Sequence, residues 1–245
     1  SPVTAWLAAS LVVVYAAEML LQAAGGAHAV LSLALNRDAL EYGRWWTLLT
    51  HLFLHAHPLH LAVNVLGLWF IGPEVELSLG RARFAILYFV SGIAGGLLQT
   101  ALAPSDLPLI GASGAVCGIL LSFTARYPEM PLQALLFFVL PVRMKAKTLG
   151  RGLIVFSAAC AALHILPLIG HLAHLGGALA GAALTKHWMR KGAARPERPP
   201  PRAVSTDQLL VRVMENGIEG LSRDERRQLE LLAAERRGRR GPSRW

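Results

Sequence analysis

The sequence is short of charge. Of its 245 residues, 16% are Asp, Glu, Lys or Arg, against about 25% in an ordinary soluble domain. A chain this poor in charge and 54% hydrophobic cannot dress a soluble surface. Its apolar residues come in long runs, so composition excludes a soluble globular class and points to a polytopic helical membrane protein. Cysteine is nearly absent. The two present, Cys117 and Cys160, both lie inside apolar segments, so no disulfide framework is implied and they do not report a redox compartment. The first apolar run, Val3 to Ala24, lacks a basic leader and is long enough to span, which reads as a membrane helix rather than a signal peptide. Acidic residues are the scarcer sign, 15 against 24 basic, for a formal net charge of +9. The basic residues fall in loops and a tail beside apolar segments. That distribution fits helix orientation and anionic lipid headgroups, not nucleic acid.

What is present divides into six spanning candidates. Val3 to Ala24 carries Glu18, a carboxylate that should face the bundle. Gly25 to His57 is too polar to span and holds Trp45 and Trp46, which predicts a loop with short interfacial helices. Pro58 to Leu79 and Phe84 to Ala103 are the second and third spans, with Arg81 and Arg83 between them. The fourth runs from about Leu109 to Ala125, with a non-helical start that requires a protein-walled cavity. Pro131 to Val142 is too short to span and is expected to be interfacial or re-entrant. Gly152 to Leu166 and Leu172 to Trp188 are the fifth and sixth spans. With six helices, Arg81, Arg83, the basic stretch from Arg126 to Arg151 and the tail after Lys186 fall on one side. The positive-inside rule then places both termini in the cytoplasm and opens Ser113 to the outer face.

Three domains are expected: a membrane domain over 1–191, a proline-rich linker over 192–203, and a helical hairpin with a basic tail over 204–245. Ser205-x-x-Gln208 and Ser222-x-x-Glu225 read as capping boxes of the hairpin, and Gly217 suits a helix end.

Chemistry concentrates at Gly111-Ala112-Ser113-Gly114. The N–H groups at a helix start are unpaired and can stabilise an anion, so a hydroxyl there is the beginning of a nucleophile with an oxyanion site. The bland alternative is helix packing by Gly114 and Gly118. A serine needs a base. His174 lies in the sixth span, where Ala173, Gly177 and Gly181 make one helix face small. Gly114 and Gly118 give the fourth span a matching face, so the two helices can bring His174 beside Ser113. In the second span, His51-x-x-x-His55-x-His57-x-x-His60-x-x-x-Asn64 places His60 and Asn64 on one face. Four histidines suggest zinc, but no Cys or carboxylate accompanies them, and Asn is a poor ligand. Asn and His are, however, good donors to an oxyanion. No metal or other cofactor is expected.

These motifs together resemble the rhomboid family of intramembrane serine proteases, from about Trp46 to Lys186. The resemblance rests on the Ser113 motif, on His55 and Asn64 with His60 between them, and on Ala173-His174 followed by Gly177 and Gly181. Gly72-Pro73-Glu74-Val75-Glu76 and the following Gly80-Arg81-x-Arg83-Phe84 also match the family's turn between the second and third helices. It implies a six-helix all-α bundle with Ser113 as nucleophile and His174 as general base. It implies an oxyanion hole from His55, Asn64 and the Ser113 N–H, with His60 structural. It implies single-pass transmembrane proteins as substrates, cut near the outer face of a bacterial inner membrane. Two positions depart from the family: Cys117 stands where an aromatic is frequent, and Thr47 follows Trp46 where arginine is frequent. A catalytically inactive relative that binds membrane helices is the alternative; intact Ser113 and His174 argue against it. A solute transporter would show an inverted repeat, and none is seen.

Overall fold

The computed structural model describes residues 1–103, 107–136, 140–166, 168–191, 206–221, 225–226 and 229. The linker after residue 191, Ser205, Ser222 and the arginine-rich end lie outside the described residues. The chain separates into two compact units, Ser1–Ala193 and Ala194–Trp245.

The first unit is mostly helical. Helix α1 (Pro2–Ala23) begins with Pro2 in its first turn and no side-chain cap from Ser1. The cap comes from far away in sequence. Glu76 accepts hydrogen bonds from Val3 N at 3.1 Å, Thr4 N at 2.8 Å and Thr4 Oγ1 at 2.7 Å. A carboxylate on free N–H groups at a helix start is favourable in both hydrogen bonding and dipole. Residues 25–57 form a loop with three short helices, α2 (Ala27–Leu31), α3 (Arg37–Glu41) and α4 (Thr47–Thr50). Trp45 and Trp46 are exposed on it, as interfacial anchors are. Thr47 is buried, and its hydroxyl donates to the Arg44 carbonyl at 2.7 Å, so the loop is anchored at this departure from the family by a local turn.

Helix α5 (Pro58–Leu79) is followed directly by α6 (Arg81–Leu102). Gly80 alone joins them at φ 83, a left-handed turn that glycine makes without strain. Helix α7 (Ser113–Arg126) is short and lies at the centre, with ten buried residues. By length and composition α1, α5 and α6 can cross a membrane, and α7 is a shorter apolar helix.

The stretch expected as interfacial or re-entrant departs from an all-α fold. It forms an antiparallel hairpin, β1 (Pro131–Leu136) with β2 (Leu140–Lys145), in which Leu132 pairs with Met144 and Gln133 with Arg143. Pro131 and Pro141 disfavour a continuous helix, whereas both strands of a two-stranded ribbon are edges that accept proline. Helix α8 (Ala146–Ala162) then starts six residues before the expected Gly152. The turn before the hairpin makes this start possible: Met130 O and Pro128 O accept from Ala146 N and Lys147 N. Helix α9 (His171–Arg190) closes the unit.

Helices α7 and α9 run parallel in one register. A Cβ built on Gly177 would lie 2.0 Å from Gly114 O, and one on Gly181 would lie 2.3 Å from Gly118 O. One turn further, Thr185 Oγ1 hydrogen-bonds Ser122 Oγ at 2.7 Å. The other face of α9 meets α6, where a Cβ on Gly95 would be 2.4 Å from Ala173 O. Backbone thus touches backbone, a separation only glycine allows. In the second unit, α10 (Thr206–Asn216) leads through Gly217, at φ 67, into a 3-10 turn over Ile218–Gly220.

Candidate active site

Ser113 is the first residue of α7. The segment before it is held by the outer loop: Leu35 and Leu109 exchange backbone hydrogen bonds at 3.0 and 2.7 Å, and Gly111 N donates to His51 O at 2.8 Å. Gly111 has φ 122, and a Cβ there would meet the His60 ring at 2.6 Å, so glycine is required on both counts. Val116 N bonds back to Ala112 O, which leaves the N–H groups at Ser113 and Gly114 ahead of the helical ladder.

His174 faces Ser113 from α9. Its Nε2 lies 2.8 Å from Ser113 Oγ, within reach for the hydroxyl to donate to the ring. Two residues steady this turn. Gln99 Oε1 on α6 accepts from Ala173 N at 3.1 Å. His171, buried one turn earlier, sets its ring edge-on to His174 with centroids 6.0 Å apart.

Asn64 and His55, both 2% exposed, lie against His60, whose ring is the group a Cβ on Gly111 would meet. Asn64 Nδ2 donates one hydrogen to His60 O at 3.0 Å, and the amide has a second hydrogen to give. The His55 ring packs edge-on to His60 with centroids 5.1 Å apart. Its Nδ1 lies 3.1 Å from Phe53 O. A carbonyl only accepts, so this contact places the ring hydrogen on Nδ1. Burial, reinforced by the neighbouring His60, pushes the His55 imidazole down to about 4. At neutral pH the ring is therefore uncharged, and the buried Nε2 carries a lone pair. Asn64 is a donor as it stands. His55 becomes one through Nε2 only by taking a second proton or by releasing Phe53.

The remaining histidines have separate tasks. His51 Nδ1 donates to Thr47 O at 2.8 Å, and burial holds this ring down to about 4 as well. His57 Nδ1 accepts from His60 N at 3.1 Å and caps α5. Among the described residues no three His, Cys, Asp or Glu side chains are grouped to hold a metal ion.

Sequence reasoning singled out Ser113, His174, His55 and Asn64. The structure brings Ser113 and His174 into direct contact, packs the His55 ring on that of His60 and bonds the Asn64 amide to the His60 carbonyl. It overlooked Gln99 and His171. The spacing His171-x-x-His174 on one helix face was the available signal for the second; nothing local marks the first. Glu18, expected to face the bundle, is 4% exposed, and its Oε2 accepts from His55 N at 3.2 Å.

A family model for the rhomboid domain matches residues 42–191. The rhomboid protease GluP of Bacillus subtilis is 35% identical over 159 residues, 62% of this chain and 28% of that protein. The putative rhomboid protease YdcA of the same organism is 40% identical over 77 residues, 31% of this chain and 39% of its own. RHOMBOID-like protein 2 of Arabidopsis thaliana is 34% identical over 156 residues, 60% of this chain and 44% of its own. The chain thus spans less than half the length of these relatives. The family model covers more than half of the chain, including Ser113, His174, His55 and Asn64: this integral membrane protein belongs to the rhomboid family.

Proposed function

We propose that this chain is an active intramembrane serine endopeptidase working through a Ser113–His174 dyad. The observation that carries the reading is the 2.8 Å contact between Ser113 Oγ and His174 Nε2. In this reading Ser113 Oγ attacks a substrate carbonyl as its proton passes to Nε2. The new oxyanion forms beside the Asn64 amide and the Ser113 N–H, with His55 at the same site. His174 returns the proton to the leaving amine, and water then hydrolyses the acyl-enzyme with the same histidine as base.

The reading includes six spanning helices, α1 and α5 to α9, with both termini cytoplasmic and Ser113 opening to the outer face of a bacterial inner membrane. The membrane domain ends near residue 191, and the linker and hairpin follow. Substrates are single-pass transmembrane proteins. A spanning helix shields its own carbonyls, so the substrate must unwind near the outer face, helped there by Gly, Pro or polar residues. Two assays test the function together. A fluorophosphonate probe should label the wild type and not Ser113→Ala, and both Ser113→Ala and His174→Ala should fall below a tenth of wild-type cleavage of a model transmembrane substrate. A folded wild type that neither labels nor cleaves would mark an inactive helix-binding relative instead.

A further inference from the structure

The His174 ring is pinned at one point. Its Nε2 meets Ser113 Oγ at 2.8 Å, and one hydrogen bond leaves a ring free to turn about it. The last torsion of a histidine is broad and sets no plane by itself. The backbone contact of α7 with α9 sets how far apart the two residues stand, not the tilt of the imidazole. A second contact supplies that. His171, three residues earlier on the same helix face, lies with its ring edge-on to that of His174, centroids 6.0 Å apart and planes at 89°. This is within the range that aromatic rings prefer for an edge-to-face pair. His171 is 5% exposed and opens α9, where its N–H donates to Ile169 O at 2.8 Å. Phe156 of α8 backs it, again edge-on, with centroids 6.0 Å apart and planes at 81°. Ring contacts thus run from α8 through His171 to the proposed base.

We infer that His171 is a positioning residue for His174: its ring, backed by Phe156, holds the plane of the imidazole so that Nε2 stays aimed at Ser113 Oγ. The inference rests on the dyad reading given above, because it acts through His174. His171 transfers no proton in this role, so another flat ring at the same place should serve. A residue that only filled the start of α9 would serve stability, and any apolar side chain of similar volume would replace it. Ring and bulk are therefore separable: phenylalanine supplies both, leucine only the bulk.

The experiment compares wild type, His171→Phe, His171→Leu and His171→Ala in fluorophosphonate labelling rate, in kcat and KM for a model transmembrane substrate, and in Tm. Labelling reads how readily Ser113 gives up its proton, with no substrate helix needed. His171→Phe should stay within about threefold of wild type in labelling and kcat. His171→Leu and His171→Ala should slow both by about ten- to a hundredfold, the cost of a small misplacement at the reacting atoms. KM should stay within about twofold, since the base and not substrate binding is affected. Phe156→Ala should cause a smaller loss, and no further loss in the His171→Leu background. Equal labelling rates in His171→Phe and His171→Leu, a raised KM with unchanged kcat, or an undiminished loss from Phe156→Ala in the His171→Leu background would overturn the inference. Should either His171→Leu or His171→Ala not assemble, the other carries the comparison with His171→Phe. Failure of the dyad reading shows separately, as wild-type labelling in His174→Ala or a folded wild type that neither labels nor cleaves.

Discussion

The two sets of contacts that hold the Ser113 turn are walls built by different physics. On one wall, α7 and α9 meet backbone against backbone where Gly177 and Gly181 abut the carbonyls of Gly114 and Gly118. On the other wall, a loop and the first turns of α5 are tied by single hydrogen bonds: Glu18 to His55, His55 to Phe53 O, Asn64 to His60 O and His57 to His60 N. Hard-sphere contact fixes the Ser113–His174 distance and tolerates almost no displacement. Hydrogen bonds hold His55 and Asn64 and can exchange partners. The proposed nucleophile and base should therefore fail abruptly under mutation, and the proposed oxyanion donors by degrees.

The largest effect is expected where the hard contact is broken. A Cβ on Gly177 would lie 2.0 Å from Gly114 O, so the helices must part by about 1 Å or more to restore a normal contact. A displacement of that size costs about a hundredfold in turnover, and the overpacking costs about 1–3 kcal/mol of stability. Gly177→Ala is accordingly expected to lose both cleavage and several degrees of Tm. Gly152→Ala is the matched control on α8, since a Cβ there meets nothing within 4 Å, and it should leave activity intact. Wild-type turnover in Gly177→Ala would show that the glycine contact does not set the dyad.

The second prediction separates the two donors of the softer wall. Asn64 has a hydrogen ready to give, whereas His55 holds its ring hydrogen toward Phe53 O. Loss of a working oxyanion donor costs about 10²–10³ in kcat. Asn64→Ala should reach that range at neutral pH, and His55→Ala should cost at least several-fold less. Equal losses from the two substitutions would mean that the His55 ring reverses its tautomer when substrate binds.

The difference between the walls also explains what the sequence made legible. The α7–α9 contact is periodic: Gly114 and Gly118 face Ala173, Gly177 and Gly181 at four-residue spacing, and a helix turns that spacing into a face. Ser113 and His174 could be paired from it before any coordinates. The spans α1 and α5 were legible for a related reason, as long apolar runs bounded by proline or glycine. The links of the softer wall join residues far apart with no period. Nothing near Glu18 names His55, and nothing near Glu76 names the first turn of α1. Gln99 reaches Ala173 across 74 residues. The hairpin at 131–145 was missed because a dozen apolar residues with two prolines fit several local structures, and pairing between the strands decides among them.

Acid should distinguish the walls as well. Burial holds both His51 and His55 well below the free histidine value, down to about 4. Between roughly pH 6.5 and 4 the unfolded chain takes up protons that these folded rings refuse, so stability falls as pH drops through that window. Below its first turn, from Gly177 to Thr185, α9 meets α7 through glycine, carbonyl and hydroxyl and has no group to titrate there; His171 and His174 lie in the turn above. Hydrogen exchange at pH 7.5 and pH 5 should therefore show the loop over 47–57 losing protection, with α7 and the part of α9 from Gly177 to Thr185 little changed. Equal loosening of both would show that acid acts on the whole bundle.

The smallest effect is expected at Cys117, one turn beyond Ser113 on the harder wall. Its position beside a nucleophile and its thiol invite a covalent role, and the packing argues against one. Cys117 is buried and free of any disulfide. It packs with Leu121 and Ala178, and Leu153, Ile154 and Ala182 close around them. A thiol in such surroundings behaves as a small apolar side chain. Cys117→Ala removes one sulfur atom from this cluster and should cost about 1 kcal/mol, near the lower end for core truncations. Gly114 and Gly118 still hold α7 against α9, so the Ser113–His174 distance should not change and kcat should stay within a factor of about three. Cys117→Phe puts a ring into a space already filled by α8 and α9, an overpacking of about 1–3 kcal/mol. It should lower Tm more than Cys117→Ala does, although an aromatic is frequent here in the family. The measurement pairs Tm and cleavage for both variants with N-ethylmaleimide treatment of the wild type. An inactive Cys117→Ala, or a wild type blocked by the reagent in step with labelling of Cys117, would give the thiol a part in catalysis and remove the hard wall's independence from side-chain chemistry.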